Sequence, residues 1–66
     1  MIGEHRVFET FEPKGEIAVA QRPDKMLKIV CYPKSGGDDI VIVMQKDKAF
    51  DFAMEILQHV YRLGEP

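Results

Sequence analysis

Residues 47–63 read as one helix, and its apolar face is too wide for the rest of a small chain to cover. At about 100° per residue, Phe52, Leu63, Ile56, Ala49, Val60, Ala53, Leu57, Phe50, Tyr61 and Met54 follow one another around the wheel. They fill an arc of roughly 200°, whereas a helix lying on one core needs a stripe of only about 100°. Gln58, Asp51, Arg62, Glu55 and His59 share the narrow remainder. Such a helix needs cover on two sides. A sheet built from the preceding residues can supply one, and a second copy or a partner protein must supply the other. Asp47 is placed to cap the helix start, since its carboxylate can accept hydrogen bonds from the free amides of the first turn. Gly64 suits the C-terminal cap, and Pro66 cannot extend a helix.

Length sharpens the point. A chain of 66 residues makes a single domain, residues 1–66. Near that size a fold buries only about 60% of its unfolded surface. Small scaffolds offset the deficit with disulfides, metals or association. Cys31 is the only cysteine, so an intrachain disulfide is impossible. No cysteine and histidine cluster has zinc-ligand spacing, and neither a metal nor another cofactor is expected. Association is the remedy left, and a homodimer is its simplest form. The single thiol suits a reducing, cytoplasmic setting. Met1-Ile2-Gly3-Glu4-His5-Arg6 is polar, without the apolar core of a signal peptide. No apolar run approaches the roughly 20 residues of a membrane span, so no membrane contact is expected.

Ahead of the helix the chain reads as four strands. Residues 5–12 carry Val7, Phe8 and Phe11, and Glu12-Pro13-Lys14-Gly15 then forms a turn in which glycine takes a positive φ. In residues 16–21, Ile17 and Val19 point one way and Ala18 and Ala20 the other. Arg22-Pro23-Asp24-Lys25 makes the next turn, with proline at its second position. In residues 26–32 the odd positions Leu27, Ile29 and Cys31 form an apolar face, assigned to the side beneath the helix. The even face carries Met26, Lys28, Val30 and Tyr32. Pro33-Lys34-Ser35-Gly36-Gly37-Asp38 is a hairpin loop whose glycines take unusual dihedrals. Residues 39–44 are apolar on both faces, which places that strand centrally or under outside cover. The expected core joins Ile17, Val19, Leu27, Ile29 and Cys31 to Ala53, Ile56 and Val60 of the helix.

Little here supports catalysis. Ser35 is the only serine and lies in a loop without a nearby histidine. Cys31 alternates with Ile29 and Leu27 and reads as a buried, unreactive thiol. Gly36-Gly37 precedes a strand, whereas a phosphate loop runs into a helix. Asp38 and Asp39 alone make a poor metal site. Glu55 and His59 stand four apart on the polar helix face, which suits a surface pair. An enzyme is therefore not expected.

The net charge of −2 disfavours a strongly electrostatic nucleic-acid binder, but the charges are unevenly spread. Within residues 22–34, Arg22, Lys25, Lys28 and Lys34 stand against Asp24 alone. Lys28 and Tyr32 share a strand face, the combination that holds single strands, with cations on phosphates and a ring beneath a base. Arg22, Lys25, Lys28, Tyr32 and Lys34 are the candidate nucleic-acid-binding residues. Phe50, Met54, Leu57 and Tyr61 are the candidate dimer or partner interface.

The order of elements, and Arg6-Val7-Phe8 leading through Lys14-Gly15 to Glu16-Ile17-Ala18-Val19, resembles the positive-cofactor family of single-stranded-DNA-binding transcriptional coactivators. The resemblance implies four strands before a long amphipathic helix, two copies in a dimer, and single-stranded nucleic acid as ligand. The chain departs from the family's pattern at Val41-Ile42-Val43-Met44 and in having Phe50 and Phe52, not tryptophan, in the first helical turn. The expected architecture is α+β: a four-stranded antiparallel meander followed by one long C-terminal amphipathic helix, paired as a homodimer. The expected function is a non-enzymatic binding module for single-stranded nucleic acid. The alternative is a protein-interaction or inhibitor module that docks its exposed apolar helix flank on a larger partner.

Overall fold

The computed structural model describes residues 6–65. The expected strand start at His5, the polar residues before it and Pro66 lie outside that range. Four antiparallel strands, β1 (Arg6–Thr10), β2 (Gly15–Gln21), β3 (Leu27–Pro33) and β4 (Ile40–Met44), form one sheet in the order β1-β2-β3-β4. Helix α1 (Lys46–Arg62) follows, completing the α+β arrangement.

The turns explain why the strands pair where they do. Thr10 Oγ1 donates to the Pro13 carbonyl at 2.6 Å, closing the β1–β2 turn. Gly15 opens β2 with ordinary strand backbone, not the positive φ expected of it. Its need for glycine comes from close approach: a Cβ there would run into the Tyr32 carbonyl oxygen and lie 2.9 Å from Pro33 Cα. Between β2 and β3 the Lys25 N–H donates to the Arg22 carbonyl at 3.1 Å, and the Arg22 N–H to the Met26 carbonyl at 2.9 Å. Gly36 and Gly37 take φ of 105° and 96°, as the loop between β3 and β4 requires.

Directly paired residues share a face, so the register sorts the sheet into two. One face, called here the Ile29 face, joins Phe8, Ile17, Cys31 and Ile40 in one row and Arg6, Val19, Ile29 and Ile42 in the next. Leu27 and Met44 extend it. The other, the Tyr32 face, has the row Val7, Ala18, Val30 and Val41, with Ala20, Lys28 and Val43 on one side and Glu9, Glu16 and Tyr32 on the other. Only the centres of these rows are buried: Ile29, Ala18 and Val30.

Two expectations fail here. The helix does not cover the Ile29 face. Ala53, Ile56 and Val60 are exposed, Val19 is exposed, and Ile17, Leu27 and Cys31 are only half-buried. The cause is the connection. Gln45 alone joins β4 to α1, whereas strand–helix connections usually take about 2–6 residues to turn the chain back over a sheet. Ala49 is the helix's only buried residue. The Cα radius of gyration is 13.3 Å, against about 11 Å for a compact chain of this length. Of the two placements expected for β4, central or under outside cover, the central one does not hold. The strand lies at an edge, and Ile40, Val41, Ile42 and Val43 are all exposed.

The helix termini differ slightly from expectation. Gln45 is the N-cap and makes no side-chain cap bond. Asp47 sits inside the first turn, where its Oδ1 accepts from the Lys48 N–H at 2.8 Å and its charge suits the helix start. Leu63 caps the far end, and Gly64 follows with φ of 95°, the usual place for glycine.

Candidate nucleic-acid interface

The Tyr32 face is built by strand alternation. Lys28, Val30 and Tyr32 emerge together from β3, and at about 3.3 Å per residue Lys28 and Tyr32 stand roughly 13 Å apart. Tyr32 is 40% exposed, while Lys28 is half-buried. Their cross-strand partners on β2 are Glu16 and Ala20, with Ala18 between. Both alanines are short beside the β3 side chains. Val41 and Val43 on β4 border the other side.

The remaining candidates lie elsewhere. Arg22 and Lys25 occupy the β2–β3 turn, at the Lys28 end of the sheet. Arg22 Nη2 is 2.8 Å from Asp24 Oδ2, so part of its charge is spent within the turn. Lys34 is at the opposite end, where its N–H donates to the Lys14 carbonyl at 2.8 Å. The five residues therefore form two groups and not one patch, with Lys28 and Tyr32 alone sharing a sheet face.

The register also adds groups that reading along the chain left out. Glu16 is paired with Tyr32, and Glu9 with Glu16. Two carboxylates thus stand beside the ring. Alternation from Ala18 and Ala20 already assigns Glu16 to this face, but Glu9 enters only through strand pairing. Lys14 joins Lys34 by the same route, and Lys46 joins the β2–β3 turn, where it lines a cleft with Arg22 and Lys25. Both ends of the sheet carry mixed charge: Arg22, Lys25, Lys28 and Lys46 with Asp24 at one, and Glu9 and Glu16 with Lys14 and Lys34 at the other.

Phe50, Met54, Leu57 and Tyr61 recur at alternating four- and three-residue steps, hence along one stripe of α1. All four are exposed, Phe50 at 65% and Tyr61 at 83%. On the polar side His59 Nε2 is 3.0 Å from Glu55 Oε2, the expected surface pair. Ser35, Asp38 and Asp39 are exposed loop residues, and Cys31 is half-buried between Ile17 and Ile40. Among the described residues no three histidine, cysteine or carboxylate side chains gather to hold a metal, and no helix is long and apolar enough to cross a membrane. No family model, curated protein or solved structure matches the chain.

Proposed function

We propose that the chain is a non-enzymatic, cytoplasmic binding module that works as a homodimer and holds single-stranded nucleic acid on its Tyr32 face. The contrast between the sheet's faces carries this reading. The Ile29 face and α1 are apolar and uncovered, while the Tyr32 face keeps an exposed ring and a lysine beside small residues. A second copy is the occupant that fits the apolar surfaces. Its own helix and β4 have the same unmet need, and self-complementary patches are what two-fold dimers use. Edge strand β4, apolar on both faces, adds a second surface that calls for pairing or cover. The ligand then meets the face left open. Tyr32 stacks on a base, Lys28 neutralises a phosphate, and Glu9 and Glu16 turn the backbone towards the lysine end. The four-strand and helix order implied by the positive-cofactor resemblance supports the same reading.

Fluorescence anisotropy with labelled single- and double-stranded oligonucleotides at two salt concentrations tests it, alongside light scattering. The expected result is a dimer that prefers the single strand and loses affinity as salt rises. The exposed stripe Phe50, Met54, Leu57 and Tyr61 favours the second reading, docking on a larger protein. A monomer at micromolar concentration that ignores both oligonucleotides at low salt moves the assignment there.

A further inference from the structure

We propose that the cleft between the β2–β3 turn and the first turn of α1 binds a terminal phosphate group. The cleft has a volume of about 430 Å³, within the range of small-molecule sites. Arg22 and Lys25 line it from the turn and Lys46 from the helix, over apolar Met26, Leu27 and Ala49. Among the described residues no carboxylate lines it. Asp24 is paired with Arg22 at 2.8 Å, and Asp47 follows Lys46 in the first turn of the helix. Three lining cations outnumber Asp24 and Asp47, so the cleft keeps the positive charge that a phosphate group requires.

The turn that presents the cations is built for position at the expense of comfort. Lys25 has φ of 65°, in the left-handed region that glycine and asparagine favour and lysine rarely adopts. Outliers of this kind gather where a side chain is wanted for a task. The Arg22 and Lys25 backbone bonds fix the turn, and buried Ala49 seats the helix beside it, so the backbone positions that carry the cations are set. Gln21 and Leu27, which border the cleft, belong to the Ile29 side of the sheet. The site is therefore separate from Lys28 and Tyr32 and stands whether or not that face binds a strand.

The phosphate can end a nucleic-acid strand or belong to a free nucleotide. Amide chemical shifts of the whole chain, followed during titration with inorganic phosphate, adenosine 5′-monophosphate, adenosine, and a deoxythymidine decamer with and without a 5′-phosphate, separate the cases. Phosphate and the monophosphate should shift the amides of Lys25, Lys46 and Ala49, and adenosine should not. Lys25→Gly should weaken the monophosphate at least fivefold while raising the melting temperature, because glycine relieves the left-handed backbone. Lys25→Arg should keep the affinity, and Lys46→Ala should lower it without the gain in melting temperature. Displacement of the monophosphate by the phosphorylated decamer alone assigns the site to strand ends. Retention of the monophosphate against both decamers assigns it to a free nucleotide. Unmoved cleft amides at millimolar phosphate and monophosphate, or a Lys25→Gly variant that binds as the parent does, would overturn the proposal. Shifts confined to Lys28 and Tyr32 with the decamers would do so while leaving the sheet-face reading intact.

Discussion

Ile29 and Val30, in the middle of the sheet, are buried, whereas Phe50, Phe52, Met54, Ile56, Leu57, Val60 and Tyr61 of α1 all stay open. The two regions meet their needs differently. In the sheet, Val30 lies between Ala18 and Val41 and Ile29 between Val19 and Ile42, so each central residue is walled by its own neighbours. The helix satisfies its backbone bonds and C-terminal cap locally, but beyond Ala49 its side chains stay exposed. Packing on an amphipathic face, more than propensity, holds most protein helices together, and isolated helices of about 12–15 residues are marginal in water. A helix of 17 residues carrying that much apolar surface gains little cover from the sheet of its own chain.

Charging the stripe should break the comparison most completely. In the proposed dimer Leu57→Asp buries an unpaired carboxylate, at a cost of about 3 kcal/mol or more. That corresponds to over a hundredfold in dissociation constant. Analytical ultracentrifugation should find monomer, and helical circular dichroism should fall while the sheet signal persists. A variant that stays dimeric with full helicity means the stripe is not the interface.

The next test sets one aliphatic residue in each region against the other. Ile29→Ala should cost about 2–5 kcal/mol in chemical denaturation, the usual range for a buried aliphatic truncation. Ile56→Ala, exposed in the single chain, should matter only where a second copy covers it, and its cost should therefore grow with protein concentration. A cost for Ile56→Ala under about 0.5 kcal/mol at every concentration, typical of surface substitutions, would leave that helix flank outside the dimer.

How much of this was legible beforehand depended on whether the cause was local. Alternation of Ile17 and Val19 with Ala18 and Ala20, and of Lys28 with Tyr32, is a period-two signal, and the two sheet faces follow from it. The turn at Arg22-Pro23-Asp24-Lys25 and the glycine after Leu63 are local too. What stayed hidden needed partners distant in sequence. Gly15 reads as a turn glycine until Tyr32 and Pro33 arrive beside it. Glu9 joins the candidate site only because β1 pairs with β2. The helix itself is legible from its period, but the inward seat expected for Ala53, Ile56 and Val60 does not hold, because Gln45 alone links the helix to the sheet.

A smaller effect probes the open face. Tyr32→Ala should weaken single-strand binding by about ten- to a hundredfold at fixed salt, from the roughly 1–3 kcal/mol of one stacked base. Lys28→Ala should instead flatten the salt dependence, because fewer counterions are released. Tyr32 is substantially exposed, so the fold should survive its loss. If both variants keep the fold and bind as the parent does, this face is not the nucleic-acid site.

The smallest expected change concerns the acidic row. Glu9 and Glu16 are directly paired across β1 and β2, and Glu16 is directly paired with Tyr32. Like charges in opposite positions destabilise a sheet by a few tenths of a kcal/mol, with solvent screening keeping the value low. Glu16→Gln keeps the shape and removes the repulsion, so stability should rise by about 0.2–0.5 kcal/mol. On the proposed reading the same change removes a charge that repels phosphate, and single strands should bind about two- to threefold more tightly at low salt, with the gain fading as salt shortens the Debye length. The pair of readouts separates two roles. A gain in stability without a gain in affinity keeps the carboxylates off the strand's path and confines the ligand to the Lys28 end. A fall in affinity would mean that Glu16 contacts the ligand, as a carboxylate does when it accepts from the amino group of a base.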